Sequence, residues 1–188
     1  MIRKLGRLVF LGFVCVVFAC QPFAKKQTEL TTQRFFDLDA YFSQEAIRLL
    51  EKNPLVLKKI AQDQSIQQKQ VRISNWEKEL KIFQSSAIND DKLKNLYTVD
   101  TTAYDNGRIL VHIEAIDKEL YTQLIDLEIL EDTLVSLLIL NKVVNPVYET
   151  QHILNYSPDV NYSILKHQKV RFSASTEYHI EVDFASHE

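Results

Sequence analysis

Histidine and carboxylate side chains have the widest chemical reach in this chain, and three of them alternate near its end: His179, Glu181 and Asp183. Alternate residues on a strand share a face, so these would offer one nitrogen and two carboxylates to a metal ion. They would also stand ~6.5–7 Å apart and fan out along the sheet. A compact site would need further ligands from a neighbouring strand, such as His112 or Glu114. The alternative is a solvated outer face, the ordinary place for charge on a half-exposed antiparallel strand. His187 reads as a chain-end residue. No H-E-x-x-H is present, and no histidine pair has helical metal spacing. The expectation is therefore no metal, no cofactor and no catalytic residue.

Ser163 and Lys166 spell S-x-x-K, a nucleophile pattern that needs a helix to bring serine and lysine together and a K-T-G elsewhere. On the strand expected here they point to opposite faces. Asp90 and Asp91 suit a helix N-terminus, where negative charge is favoured. Gln151, His152, His167 and Gln168 are polar residues in expected strands, read as hydrogen-bonded or exposed, with an enclosed pocket as the other possibility. The chain has only 3 glycines, and Gly6 and Gly12 fall in the leader described below. A phosphate loop, a dinucleotide fingerprint and a G-x-S-x-G elbow each need two or more close together, so all are excluded.

The first residues read as an address. Arg3, Lys4 and Arg7 precede an unbroken apolar run over 8–18, then Ala19 and Cys20. A basic start, a short apolar stretch and a small residue at the cut describe a secretory signal. Eleven apolar residues span about 17 Å as a helix, too short for the ~30 Å hydrocarbon core. Val17-Phe18-Ala19-Cys20 resembles the lipobox of bacterial lipoproteins, with Phe18 bulkier than usual. By that resemblance Cys20 is acylated and residues 1–19 are removed; an ordinary secretory cut is the alternative. Cys15 leaves with the leader, so no free thiol remains and disulfides, thiolate metal sites and cysteine nucleophiles are excluded. Processing removes three basic residues and no acid, taking the net charge from −3 to −6. An acidic body without a basic tract argues against nucleic acid. Gln21 follows Cys20, and no acidic cluster follows in 22–26; by analogy with other lipoproteins this places the protein on the outer membrane, facing the periplasm.

Residues 20–31 then form a lipidated cysteine and flexible tether, with an r.m.s. reach of roughly 18 Å. Residues 32–188 are a single domain. Phe35, Leu38, Phe42, Ala46 and Leu49 share a helical stripe, with Thr32 as expected N-cap and Asn53-Pro54 as the stop. Ser74 and Glu77 have capping-box spacing ahead of a second helix with Trp76, Leu80 and Phe83 inward. A short third helix is expected after Asn89-Asp90-Asp91, with Leu93 and Leu96 inward. A hairpin over 55–61 and 66–73 lies between the first two helices. Strand after strand follows: 97–104, 108–116, 121–130, 134–144, 147–156, 162–173 and 177–184. Asp105-Asn106-Gly107 is the strongest hairpin signal. Strand 134–144 is apolar on both faces, so it should be central and covered. The fold class is α+β, N-terminal helices packed on a large curved antiparallel sheet.

The stretches FFDLDAYFSQEAIRLL (35–50), NWEKELKIF (75–83), VYETQHILNYSPDVNYSILKHQKVRF (147–172) and YHIEVDF (178–184) resemble an uncharacterised family of lipoproteins from Bacteroidota. The resemblance spans most of 34–184. It implies an envelope location and the helix-then-sheet order, but no activity or ligand. Asn161 and His167 replace glycines common in that family; Asn161 could still take a left-handed turn. Asp100-Thr101-Thr102 and Asp132-Thr133-Leu134 fit a short O-glycosylation pattern of the same group.

Phe172, Tyr178, Ile180, Phe184, Tyr156 and Tyr162 give the last strands an aromatic face. It either packs on Phe35, Phe42 and Trp76 as a filled core or lines a space for an apolar ligand. The leading expectation is a non-enzymatic, lipid-anchored envelope module, binding or structural, attached to the membrane at Cys20 and either binding an envelope protein partner or forming part of a larger complex. The alternative is a periplasmic carrier of an apolar or lipid ligand. A third class, an enzyme using His179 or His112 with acids from two or more strands, would need a cleft that gathers them.

Overall fold

The computed structural model describes residues 35–63 and 65–184. The leader, Cys20, the tether, Thr32 and His187 lie outside the described residues. The first helix, α1, is Leu38–Lys52. Its N-cap is Asp37, whose carboxylate accepts from the Ala40 N–H at 3.0 Å. Asn53 ends it in the left-handed conformation, with its N–H returned to the Leu49 carbonyl, and Pro54 prevents continuation. The stripe Leu38, Phe42, Ala46 and Leu49 is buried as its spacing predicts. The second helix, α2, is Trp76–Gln84, capped by Asn75 rather than Ser74; Asn75 accepts from the Lys78 N–H at 2.8 Å.

The expected third helix does not form. Asp90 uses its side chain to accept from the Lys92 N–H, and only isolated turns follow, from Leu93 N–H to Asp90 and from Leu96 N–H to Leu93. A local side-chain bond competes with helix nucleation, which a segment this short cannot repay. Asp91 pairs with Lys94, and Leu96 points outward.

Among the described residues nine strands follow the expected order: β1 Leu55–Gln62, β2 Ser65–Arg72, β3 Tyr97–Ala103, β4 Arg108–Ala115, β5 Thr122–Leu130, β6 Thr133–Val144, β7 Tyr148–Ser157, β8 Asn161–Val170 and β9 Thr176–Asp183. They form one antiparallel sheet in the order β2-β1-β9-β8-β7-β6-β5-β4-β3. Strands β3 to β9 run as a meander, and the β1–β2 hairpin joins it through β9. Strands β2 and β3 are therefore opposite edges, about 38 Å apart across eight strand spacings. Residues 73–96, including α2, must cross one face to connect them. The class is α+β with a strong excess of strand.

Among the described residues only Gly107 supplies a glycine turn, at φ +80°. Asp63, Asp132 and Asp159 take positive φ elsewhere, as small polar residues can. Glu131-Asp132 makes a two-residue hairpin with both φ positive, the geometry that matches sheet twist. In the β7–β8 turn the left-handed residue is Asp159; Asn161 is the first residue of β8.

Register makes the two faces unlike. Ile113, Ile125, Ile139, Leu154, Ile164 and Ile180 lie in one row across β4 to β9, on the side that the helices cover. The aromatic core sits beside that row. Phe42 stacks on Phe83 at 4.8 Å and meets Tyr156 edge-on at 5.1 Å, while Phe83 meets Tyr162 at 6.1 Å and Trp76 stacks on Phe184 at 5.8 Å. Rings fill the space between sheet and helices. Phe172 is the exception, 95% exposed in the β8–β9 turn. Strand β6 is interior in the sheet, but it is covered on one side only: Leu137, Ile139 and Asn141 are buried, whereas Leu138 and Leu140 are half-buried on the open face.

Candidate functional site

The open face carries the row Asp100, His112, Asp126, Leu138, Asn155, Ser163, Glu181 and Lys59, one residue from each of β3 to β9 and then β1. Antiparallel alternation places them there because their sequence neighbours face the helices. A half-open trough of about 420 Å³ lies over the β3–β7 part of this face, lined by Asp100, Thr102, His112, Asp126, Glu128, Ser136, Leu138 and Asn155 among others.

His112 stands directly across from Asp126, with its Nδ1 2.6 Å from Asp126 Oδ1 and its Nε2 3.9 Å from Glu114. Arg108 pairs with Glu128 at 2.6 Å, and Ser136 donates to the other Glu128 oxygen at 3.2 Å. Asn155 donates to Ser163 at 3.1 Å. The carboxylate orients the imidazole, as it would in a hydrolytic triad. Among the described residues no serine or threonine hydroxyl bonds this histidine. The trough offers hydrogen-bond donors and acceptors beside apolar side chains, Leu110 and Leu138 among them, which suits recognition of a mixed polar and apolar surface or segment.

No family model, curated protein or solved structure matches this chain. The site is therefore read from its own geometry.

His179 does not meet His112 or Glu114. Strand β9 is five strands from β4, about 24 Å, so the expected supplementary ligands are not neighbours. Glu181 instead lies 3.7 Å from Lys59 of β1. Among the described residues no group of three His, Cys, Asp or Glu side chains converges tightly enough for a metal ion. Ser163 and Lys166 point to opposite faces of β8, as the strand period requires. His167 is exposed, whereas His152 is half-buried beside Lys166 with no partner for Nδ1. Burial first, and the Lys166 charge second, hold the His152 pKa below its ordinary value.

Two partly buried ionic networks on the helix side escaped the sequence reading. Glu45 on α1 is 6% exposed, accepts from the Tyr156 hydroxyl, and is held by Arg48 through two bonds of 2.6 and 2.7 Å. Arg48 continues to Asp159 at 3.1 Å, and Lys52 reaches the same carboxylate at 2.6 Å. On α2, Glu79 accepts from the Tyr162 hydroxyl at 2.6 Å and from Lys58 of β1. Burial raises the pKa of both tyrosines, and the nearby carboxylates raise it further. Burial alone pushes Tyr97 up to about 12; its hydroxyl donates to the Thr122 carbonyl. The one sequence signal was Glu45 falling between Phe42 and Leu49 on the apolar stripe of α1. These networks tie helices to sheet, so they belong to the scaffold of the trough.

Proposed function

We propose that this chain is a lipid-anchored envelope protein that binds an envelope protein partner and is not an enzyme. Residues 1–19 are its signal peptide, Cys20 its lipid attachment and 20–31 its tether, on the outer membrane facing the periplasm. The support is the basic-apolar-Cys20 leader and the resemblance of 34–184 to Bacteroidota lipoproteins. In this reading the large sheet is curved, with irregularities in β5 pairing near Thr122 and Glu128 bending it around the trough. The observation that supports the binding role is the sheet face left open by the described residues, with its trough lined by His112, Asp126 and Asn155 and by Leu110 and the half-buried Leu138.

The test is retention of the partner. Full-length tagged protein extracted from native membranes is compared with Leu138→Arg and Asn155→Arg. The expected result is loss of the co-purifying protein with an unchanged melting curve. The same partner retained by both variants contradicts the open-face reading. Separately, Cys20→Ser is expected to abolish membrane retention and the processed mass; both unchanged would sink the anchor.

A second reading is a carrier of an apolar or lipid ligand. Leu124, Leu140, Ile153 and Leu165 form a half-buried apolar row on the open face, and a lipid chain would lie along it. The helix side, packed with rings, leaves that row as its place. Native mass spectrometry of the extracted protein distinguishes the readings: a bound lipid lost in Leu140→Arg favours the carrier.

A further inference from the structure

The β1–β2, β4–β5, β6–β7 and β8–β9 turns all lie at one end of the sheet, because every neighbouring pair is antiparallel. Exposed apolar side chains protrude there. Phe172 is 95% exposed, Ile116 64%, and Val144 and Val147 each 62%. Phe172 has φ +67°, a conformation disfavoured for a bulky side chain, and it holds the ring outward at the tip of its turn. The Arg171 guanidinium lies 5.1 Å from that ring, and Lys169 stands nearby at the end of β8. The Arg171 N–H bonds the Val147 carbonyl at 2.8 Å, joining the two apolar turns into one surface.

The chain enters at this same end. Phe35 packs edge-on against Tyr97 at 6.0 Å. Tyr97 pairs with Ala115, the last residue of β4, and the Ile116 N–H bonds the Leu96 carbonyl. From there α1 runs away, and its last residue, Lys52, meets Asp159 in the β7–β8 turn at the opposite end. The described chain thus begins, at Phe35, at the end of the sheet that carries the exposed apolar turns, on the β3 side near Ile116.

We propose that this end rests on the lipid bilayer, with Phe172 and Val147 in the interfacial zone and Arg171 and Lys169 at the level of the phosphates. An aromatic ring flanked by basic residues suits that zone, where one part of each side chain is apolar and the other is wet. The proposal rests on acylation of Cys20, which brings this end to the membrane. It also fixes orientation: the Tyr104 turn at the far end points away, about 30 Å from the lipid.

Tryptophan quenching tests it. Trp76 is the only tryptophan and is 1% exposed, so it gives a constant background. The full-length acylated protein is reconstituted into vesicles of phosphatidylcholine and phosphatidylglycerol with brominated chains, as Phe172→Trp and as Tyr104→Trp. The Phe172→Trp protein is expected to float with the vesicles and to lose emission roughly twofold, since interfacial groups sit within reach of the acyl boundary. The Tyr104→Trp protein is expected to float and keep its emission, quenched by aqueous iodide instead. Flotation without quenching of Phe172→Trp overturns the proposal and leaves the anchor standing. Equal quenching of both variants overturns the orientation. Failure to float overturns the anchor and the proposal together.

Discussion

Ile139 and Leu140 are neighbours on one strand and face different worlds. Ile139 is fully buried between Ile125 and Leu154 on the side of α1 and α2, while Leu140 is half-buried on the open face between Leu124 and Ile153. The same contrast runs along the sheet. The covered face holds isoleucine rows, stacked rings and two ionic networks; the open face holds His112–Asp126, Arg108–Glu128 and Asn155–Ser163 around a trough. Stability is concentrated where side chains lose all contact with water, because transfer and cavity terms both act there. The open face keeps chemical variety at little cost to the fold.

The comparison can be broken by mutation on either side. Phe83→Ala removes a ring that touches Phe42, Tyr156 and Tyr162, and is expected to cost ~3–5 kcal/mol in urea denaturation. Tyr156→Phe removes the hydroxyl that donates to buried Glu45, for an expected ~1–3 kcal/mol by the same assay. Asp159→Asn removes a charge paired with Lys52 and Arg48, and its clearest signature is in the pH dependence of stability. The Asp159 carboxyl is held below the usual carboxylate range, chiefly by its bond to Lys52 and then by Arg48. A depressed folded pKa gives stability that is full above about pH 4 and lost as pH falls through the depressed value. Acid titration of unfolding should therefore show a shallower loss in Asp159→Asn than in the parent, with the effect muted by solvent because the pair is half-exposed. His112→Ala, on the open face, should stay within ~0.5 kcal/mol of the parent.

Local signals carried the strands. Alternation is plain in β5, where Ile125, Leu127 and Ile129 lie on one face and Asp126 and Glu128 on the other. Long-range pairing was not legible, because nothing near β1 states that its neighbour is β9, more than a hundred residues away. The site suffered from register. A turn centred on Lys118 would pair His112 with Leu124; pairing actually closes at Glu114 with Leu124, so the connection is centred on Glu119 and Asp126 comes opposite His112. A shift of two keeps each residue on its face while changing every partner. Glu45 was hidden for a different reason: its burial depends on a hydroxyl from β7, which no helical pattern reveals.

The division of labour between the faces is tested most directly on β6 itself. Urea denaturation of Ile139→Ala and Leu140→Ala removes similar side chains one residue apart. Ile139→Ala is expected to lose ~2–5 kcal/mol and Leu140→Ala under about 1 kcal/mol. Equal losses, or a larger one at Leu140, would contradict the account.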